Sequence, residues 1–380
     1  MIGSSVVPNS ITLAGAGSFN GIKSTSTASV TVKGNKIANI TLSGSVGSPV
    51  VNCIYMRQGT VDQNIVYNIG ALNMSITPEI YGINNATTDV TGNTVTNNMI
   101  ALKGGNSANP KIFGIYDQSV TNAGKISCNS VSITGSAYSA ATNSTYAFYR
   151  NGSAALILYN NILYNARATT SGAKHYAVYT TSTLSWSSDY NDMYTISPNL
   201  GYWGGSVKST LSGWKSGTGK DLNSISISPV FLSPTDLHLT AANTGIDNKG
   251  TSLNGMTYDF DGAPRSGTTP DIGADEFTST PAFQAPENEE NPATQPELAI
   301  YPNPMTDNAT LAITLGMESH VSVTIFNIIG EQIQSVEDRI MEAGTTNLEF
   351  RAGTLPSGIY FCRMLINEEN VIIKRIEVTR

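Results

Sequence analysis

The chain has 380 residues, enough for more than one domain, with only 13% charged residues and a formal net charge of −7. Sparse charge beside abundant Gly, Asn, Ser and Thr marks an extracellular β protein with largely uncharged surfaces. The three cysteines (Cys53, Cys128, Cys362) lie too far apart for a disulfide framework or a metal-ligand spacing, and no run of about 18 apolar residues exists to cross a membrane. No basic cluster interleaved with aromatics suits nucleic acid.

In chain order, Met1-Ile-Gly-Ser-Ser-Val-Val-Pro8 lacks the basic start and apolar core of a signal peptide. Ile11-Thr-Leu13 is already strand-like, so the pattern is entered midway. The expectation is that the natural protein extends upstream, where an end cap and the signal peptide would lie. A repeat follows: apolar, two small or polar residues, Asn, any residue, apolar. It reads Val32-Lys-Gly-Asn35-Lys-Ile37, Val61-Asp-Gln-Asn64-Ile-Val66, Val90-Thr-Gly-Asn93-Thr-Val95, Ile126-Ser-Cys-Asn129-Ser-Val131 and Leu158-Tyr-Asn-Asn161-Ile-Leu163, with asparagine gaps of 29, 29, 36 and 32. A second element recurs in phase, a small residue among aromatic and β-branched neighbours, as in Tyr81-Gly82-Ile83, Gly114-Ile115-Tyr116, Ala147-Phe148-Tyr149 and Ala177-Val178-Tyr179. A sustained period of this size, carried by Val/Ile/Thr/Tyr runs between Gly, Asn and Ser, means stacked strand-and-turn units. The fold class is therefore all-β, a parallel β-solenoid of about six coils over residues 21–188. Asn35, Asn64, Asn93, Asn129 and Asn161 are expected to form a structural ladder, tolerating a left-handed bend and bonding amide to amide along the stack. Cys128, beside Asn129, reads as a small packed residue.

These residues resemble the right-handed parallel β-helix of the pectate-lyase-like class. That resemblance is to an architecture over about residues 1–190 and names no activity. Through Ser188 the chain carries ten Lys and Arg against four acids, or +6, and the remainder carries −13. A mildly basic solenoid suits an anionic glycan, although ten scattered cations are also ordinary surface. A calcium-dependent lyase needs converging carboxylates, and a glycosidase needs two flanking the scissile bond. The coils hold only Asp62, Glu79, Asp89 and Asp117. Stacking brings Asp117 beside Arg150, which reads as an exposed ion pair, and His175 reads as a lone surface histidine. If the solenoid is an enzyme, the catalytic candidates are Asp89, Asp117, Arg150 and Arg167. The leaning is non-catalytic, with Tyr55, Tyr116, Tyr149 and Tyr179 as candidate exposed rings for a polysaccharide ligand.

Residues 184–277 close the solenoid within a first domain of residues 1–277. The order Ser188-Asp-Tyr-Asn-Asp192, Ser228-Pro-Val-Phe231, Asp236-Leu-His-Leu-Thr240, Asp259-Phe-Asp-Gly-Ala-Pro-Arg265 and Pro270-Asp-Ile-Gly-Ala-Asp-Glu-Phe277 resembles the end of β-helix domains in Bacteroidota surface proteins. Asp259, Asp261 and Asp271 are candidate calcium ligands, but the full twelve-residue loop pattern is absent. The alternative is that Asp261 caps a tight turn and Arg265 pairs with Asp271 or another acid. Cofactors are otherwise expected to be none.

Residues 278–297 carry prolines and acids without an apolar period, a solvated linker. From 298 to 380 the pattern alternates cleanly (Leu311, Ile313, Leu315; Val321, Val323, Ile325), predicting an antiparallel immunoglobulin-like sandwich. Tyr301-Pro302-Asn303-Pro304, the turn at Gly330, Leu355-Pro356-Ser357-Gly358-Ile359-Tyr360 and Lys374 resemble the type A C-terminal sorting domain of the type IX secretion system. The resemblance implies a Gram-negative Bacteroidota host and placement outside the cell or on the outer-membrane surface. It also implies two partners, the secretion machinery and a sortase-like peptidase that cleaves within the linker. Gly330 and Gly358 are expected at turns.

Overall fold

The computed structural model describes every residue except 4–10, 15–16, 44–47, 72–76, 87–91, 104–109, 121–122, 137–141, 169–171, 184, 280–295, 317, 354, 368–369 and 380. It divides into two compact units, Met1–Gln284 and Ala285–Arg380. Most of the segment read as a linker lies outside the described residues.

In the first unit, eighteen described strands from Phe19–Ser24 to Asp192–Thr195 run as six sets of three. Each set contributes one strand to each of three parallel sheets. The first sheet stacks Lys36–Leu42, Ile65–Ala71, Met99–Lys103, Ser130–Thr134, Ile162–Asn165 and Asp192–Thr195. The second stacks Phe19–Ser24, Val50–Met56, Glu79–Asn85, Lys111–Asp117, Thr145–Arg150 and His175–Thr180. The third stacks Val30–Lys33, Gly59–Asp62, Thr94–Thr96, Gly124–Ser127, Leu156–Tyr159 and Trp186–Asp189. This is a parallel β-solenoid.

Apolar residues stack on their own kind from coil to coil, because parallel pairing in register puts equivalent side chains one strand spacing apart. One interior column runs Ile37, Val66, Ile100, Val131, Leu163, Met193, and another runs Ile22, Ile54, Ile83, Ile115, Phe148, Val178. In the second sheet the small residues of the repeat allow close packing. A Cβ on Gly114 would lie 2.3 Å from Val131 Cγ1 and 2.5 Å from the Ala147 carbonyl oxygen. The column ends at Gly201, where a Cβ would strike the ring of Trp214. Trp214 sits on the helix Leu211–Thr218, capped at its start by Thr210 and at its end by left-handed Gly219. It is fully buried against Trp186 and Trp203 and plugs the core at this end.

The asparagine ladder turns between the third and first sheets. Each Asn Nδ2 donates to the Oδ1 of the next, from Asn35 to Asn64, Asn98, Asn129, Asn161 and Asn191, at 2.9–3.0 Å. Asn98 stands in the third coil where the spacing placed Asn93. Asn93 lies one strand earlier, where its Oδ1 accepts the Gly59 amide and its side chain donates to Asn85. The left-handed residue is not the ladder asparagine either but the one before it: Gly34, Gln63, Asn97, Cys128, Asn160 and Tyr190 all have φ between 52° and 66°. That kink frees the asparagine amide N–H to bond its neighbour's Oδ1 as well. Cys128 is thus both buried and conformationally constrained.

Past the helix, the chain returns over the outer side of the first sheet and the ladder turn. Leu237, Ala274 and Phe260 pack on Ala38, Tyr67, Met99 and Ala101. Asn160 exchanges bonds with Thr251, Arg265 reaches Asn97, and Ala274 N donates to Ser130 Oγ. The closing segment therefore covers one outer face of the solenoid with its own chain.

In the second unit, Glu297–Tyr301, Asn308–Leu315 and Gly344–Arg351 form one antiparallel sheet, and Gln332–Met341, Ser319–Asn327, Gly358–Ile366 and Asn370–Val378 form another. Leu311, Ile313, Val321, Val323, Phe350, Cys362 and Ile376 fill the core between them.

Candidate functional site

While the first sheet is covered, the second carries two columns of aromatic rings on its outer side, one largely buried (Tyr81, Phe113 and Tyr176) and one half-buried. The small residue at the centre of each strand (Gly82, Gly114, Ala147, Ala177) falls out of the pairing register, so the residues on either side of it and its apolar neighbour both point outward. One column is Tyr81, Phe113, Tyr146 and Tyr176, with ring centroids 4.7, 5.2 and 5.7 Å apart and near-parallel planes. The other is Tyr116, Tyr149, Tyr179 and Tyr202, at 5.1, 5.0 and 4.4 Å. The columns interlock edge to face, Phe113 against Tyr149 and Tyr146 against Tyr179. Each such contact adds about 0.5–1.5 kcal/mol beyond burial, so the array is rigid.

Ring faces are spent on neighbouring rings, which leaves edges and hydroxyls to meet a ligand. Tyr116, Tyr149, Tyr179 and Tyr202 are half-buried and form a comb whose teeth repeat at strand spacing. Burial raises the phenols of Tyr116, Tyr149 and Tyr179, so these three stay neutral and each hydroxyl remains a donor as well as an acceptor. Toward the first coils the comb gives way to amides: Asn84 donates to Asn52 and Asn52 to Asn20, while Tyr55 lies under the Lys23 ammonium. Lys111 pairs with Glu79 at the edge.

A pocket of about 470 Å³ opens where the last comb strands begin, lined by Arg167, Lys174, Ile196, Ser197 and Asn199 among others. Arg167 is 1% exposed, and burial pushes its guanidinium down to about 10, which leaves it cationic at neutral pH. His175 is buried and not at the surface, because the strand alternation turns it inward, with Nδ1 2.8 Å from Thr145 Oγ1. Burial, and then the Arg167 charge, push its imidazole down to about 4.

The remaining catalytic candidates do not assemble on this face. Asp117 and Arg150 are register partners, as stacking required, but both are fully buried and form no exposed pair. As the last residues of their strands they turn inward. The Asp117 Oδ2 to Arg150 Nε distance is 3.9 Å, Ser119 and Asn85 donate to Asp117, and Arg150 donates to the Gly152 and Ala154 carbonyls. Burial raises the Asp117 carboxyl against these bonds and the Arg150 charge. Asp89 lies outside the described residues.

In the closing segment, Asp259 accepts the amides of Asp261, Ala263 and Glu276, and Asp271 those of Asn248 and Phe277, so both act as turn anchors. Arg265 pairs with Glu276. Among the described residues the metal-capable group is His238, Asp261 and Asp275, whose donor atoms lie within 4.8 Å of one another; it keeps only Asp261 of the three expected. Asp236 holds His238 Nδ1, and Asp261 meets Nε2 at 2.9 Å. Burial pushes the imidazole down, but the Asp236 bond and the charges of Asp236, Asp275 and Asp261 outweigh it and raise it overall.

In the second unit, Asn303 ties the turn after the first strand to the last strand, donating to the Arg375 carbonyl and accepting the Glu377 amide. Tyr301, Pro302 and Pro304 are exposed around it. Gly330 adopts φ 82° in the turn bonded from Asn327 to Glu331. Leu355 is half-buried, Tyr360 OH donates to the Pro356 carbonyl, and Pro356, Ser357, Ile359 and Lys374 are exposed. Gly358 opens a strand and does not supply a turn.

Residues 299–379 match the family described as "Secretion system C-terminal sorting domain". No curated protein matches the chain. The tail makes the chain a secreted or cell-surface cargo of the type IX secretion machinery, with a Bacteroidota origin implied. No helix among the described residues is long and apolar enough to cross a membrane.

Proposed function

We propose that this exported solenoid is a non-catalytic glycan-binding protein of the cell surface, taking an extended polysaccharide along the tyrosine comb of its second sheet. The observation that carries this reading is the comb itself. Tyr116, Tyr149, Tyr179 and Tyr202 repeat at strand spacing on an outer face, with interlocked rings holding them in place. A ligand that is also a repeat, with a hydroxyl-rich edge and a rise per sugar close to the spacing of the strands, meets equivalent partners at each step. A rigid array adds little ordering cost to binding. Asp117, the acid nearest the comb in sequence, is fully buried and therefore offers no carboxylate to a glycosidic bond.

The test is affinity electrophoresis of the full chain through gels containing soluble β-linked polysaccharides, with product analysis of each polymer. The expected result is retardation with the polymer intact, and loss of at least about tenfold in affinity for the Tyr149→Ala/Tyr179→Ala double variant, the size of two or three lost contacts. Equal retardation of the double variant, or shortened polymer, contradicts the reading.

A further inference from the structure

We infer that the glycan is anionic and that its carboxylate or sulfate group is held by Lys174 and the buried Arg167 charge in the pocket beside the last comb strands. This rests on the comb reading and extends it to the ligand's chemistry. The pocket, about 470 Å³, is lined among the described residues by Arg167, Lys174 and seven uncharged residues, none of them acidic. Its walls continue into strands of the comb. Lys174 precedes the strand His175–Thr180, so its Cα lies about 7 Å from that of Tyr176 in the neighbouring ring column and about 17 Å along the strand from that of Tyr179 in the comb. On the opposite wall Asn199 is three residues before Tyr202, the last ring of its column. The pocket thus lies beside the line of the comb, at the starts of its last strands, where it takes a substituent directed along the strands.

The two cations differ in a way that suits an anion. Arg167 lines the pocket but is almost wholly enclosed, so it acts there as a fixed buried positive charge. Lys174 is exposed, and no ion pair to it is found among the described residues. A carboxylate or sulfate in the pocket gains a charged hydrogen bond from Lys174 and the attraction of the enclosed Arg167 charge. Lys111, the other cation at this edge of the sheet, is already paired with Glu79. The coils carry +6 through Ser188 and the closing segment brings the unit to +1, so the attraction is local to the pocket. His175, kept neutral beside Arg167, adds no competing charge.

Three polymers with one backbone and different charge make the test: hydroxyethyl cellulose, carboxymethyl cellulose and cellulose sulfate, run against the full chain at low and physiological salt. The expected result is tighter binding of the charged polymers. Lys174→Glu should weaken that binding about tenfold, the size of one charged hydrogen bond, while leaving hydroxyethyl cellulose unchanged. Arg167→Met should do the same if it folds, and Lys174→Glu, at an exposed position, decides the matter if it does not. The stronger of the two charged polymers identifies the group as carboxylate or sulfate. Equal binding of neutral and charged polymers, or no effect of Lys174→Glu, overturns the anionic assignment and leaves the comb reading in place. Failure of all three polymers to bind overturns both.

Discussion

Truncating one rung of the asparagine ladder tests how the solenoid is held together. Asn129 is fully buried. Its Nδ2 donates to the Val95 and Ser127 carbonyls and to Asn161 Oδ1 at 2.9, 3.1 and 3.0 Å. Its Oδ1 accepts the backbone and side-chain amides of Asn98 at 3.1 and 2.9 Å. In Asn129→Ala two of these partners keep other bonds, since Asn161 Oδ1 still receives the residue-129 amide and Asn98 Nδ2 still reaches Val61 and Thr96. The Asn98 N–H and two carbonyls lose a partner in a dry interior. At about 1–3 kcal/mol for each unsatisfied group, less some relaxation, the loss is roughly 3–5 kcal/mol. That is a large share of a stability of about 5–15 kcal/mol. Because repeats couple to nearest neighbours, the loss concentrates on the coils either side. Urea unfolding followed by far-UV circular dichroism and by fluorescence of Trp186, Trp203 and Trp214, which cluster at one end, separates ladder damage from end fraying. A loss under about 0.5 kcal/mol refutes the argument, since an ordinary surface substitution does as much.

Other outcomes follow from the same geometry. Arg150→Met strands Asp117 without its cation and should cost about 3–5 kcal/mol, whereas adding Asp117→Asn should recover much of it, because the same column holds Met56 and Asn85 in earlier coils; a double variant no better than the single in urea melts contradicts this. Burial raises the Asp192 carboxyl to about 8, with the Ile227 amide pulling the other way. An unfolded Asp titrates near 3.9, so folding takes up a proton between the two values and stability falls as pH rises from about 4 to about 8. Asp192→Asn should flatten that slope, a gain on the order of a few kcal/mol at pH 8, and an unchanged difference in melting temperature between pH 4.5 and pH 8 would rule the assignment out. Removal of residues 299–379 in a type IX-competent host should leave the solenoid in the periplasm, and its continued appearance in the medium or on the cell surface would show that export does not depend on the tail.

How much of this was legible in the sequence differs by level. The solenoid shows in the period, since stacking repeats the same demands every coil. Its phase in the third coil does not. Val95-Thr-Asn-Asn98-Met-Ile100 fits the repeat as well as the segment around Asn93, and the even gap of 29 residues favours Asn93. The true gaps are 29, 34, 31, 32 and 30, because the turns joining strands differ in length and counting residues cannot fix where each strand begins. Composition rules placed Asp117, Arg150 and His175 at the surface; alternation from the outward Tyr116, Tyr149 and Tyr176 would have turned them inward. Tyr116, Tyr149 and Tyr179 were visible as a recurring position. The second column, Tyr81, Phe113, Tyr146 and Tyr176, was not, although each lies three residues before a position of the first column, and the out-of-register small residue between them is the signal that both face outward. His238 comes from a strand and Asp261 and Asp275 from separate loops, so no spacing announces them.

The glycan reading is tested most directly by hydrogen–deuterium exchange of the full chain with and without a soluble polysaccharide that retards it. The account predicts slowed exchange in peptides covering Lys111–Asp117, Thr145–Arg150 and His175–Thr180, the strands that carry the comb, with the polymer's length unchanged. Protection confined to the first or third sheet, or none on the comb strands, would contradict it.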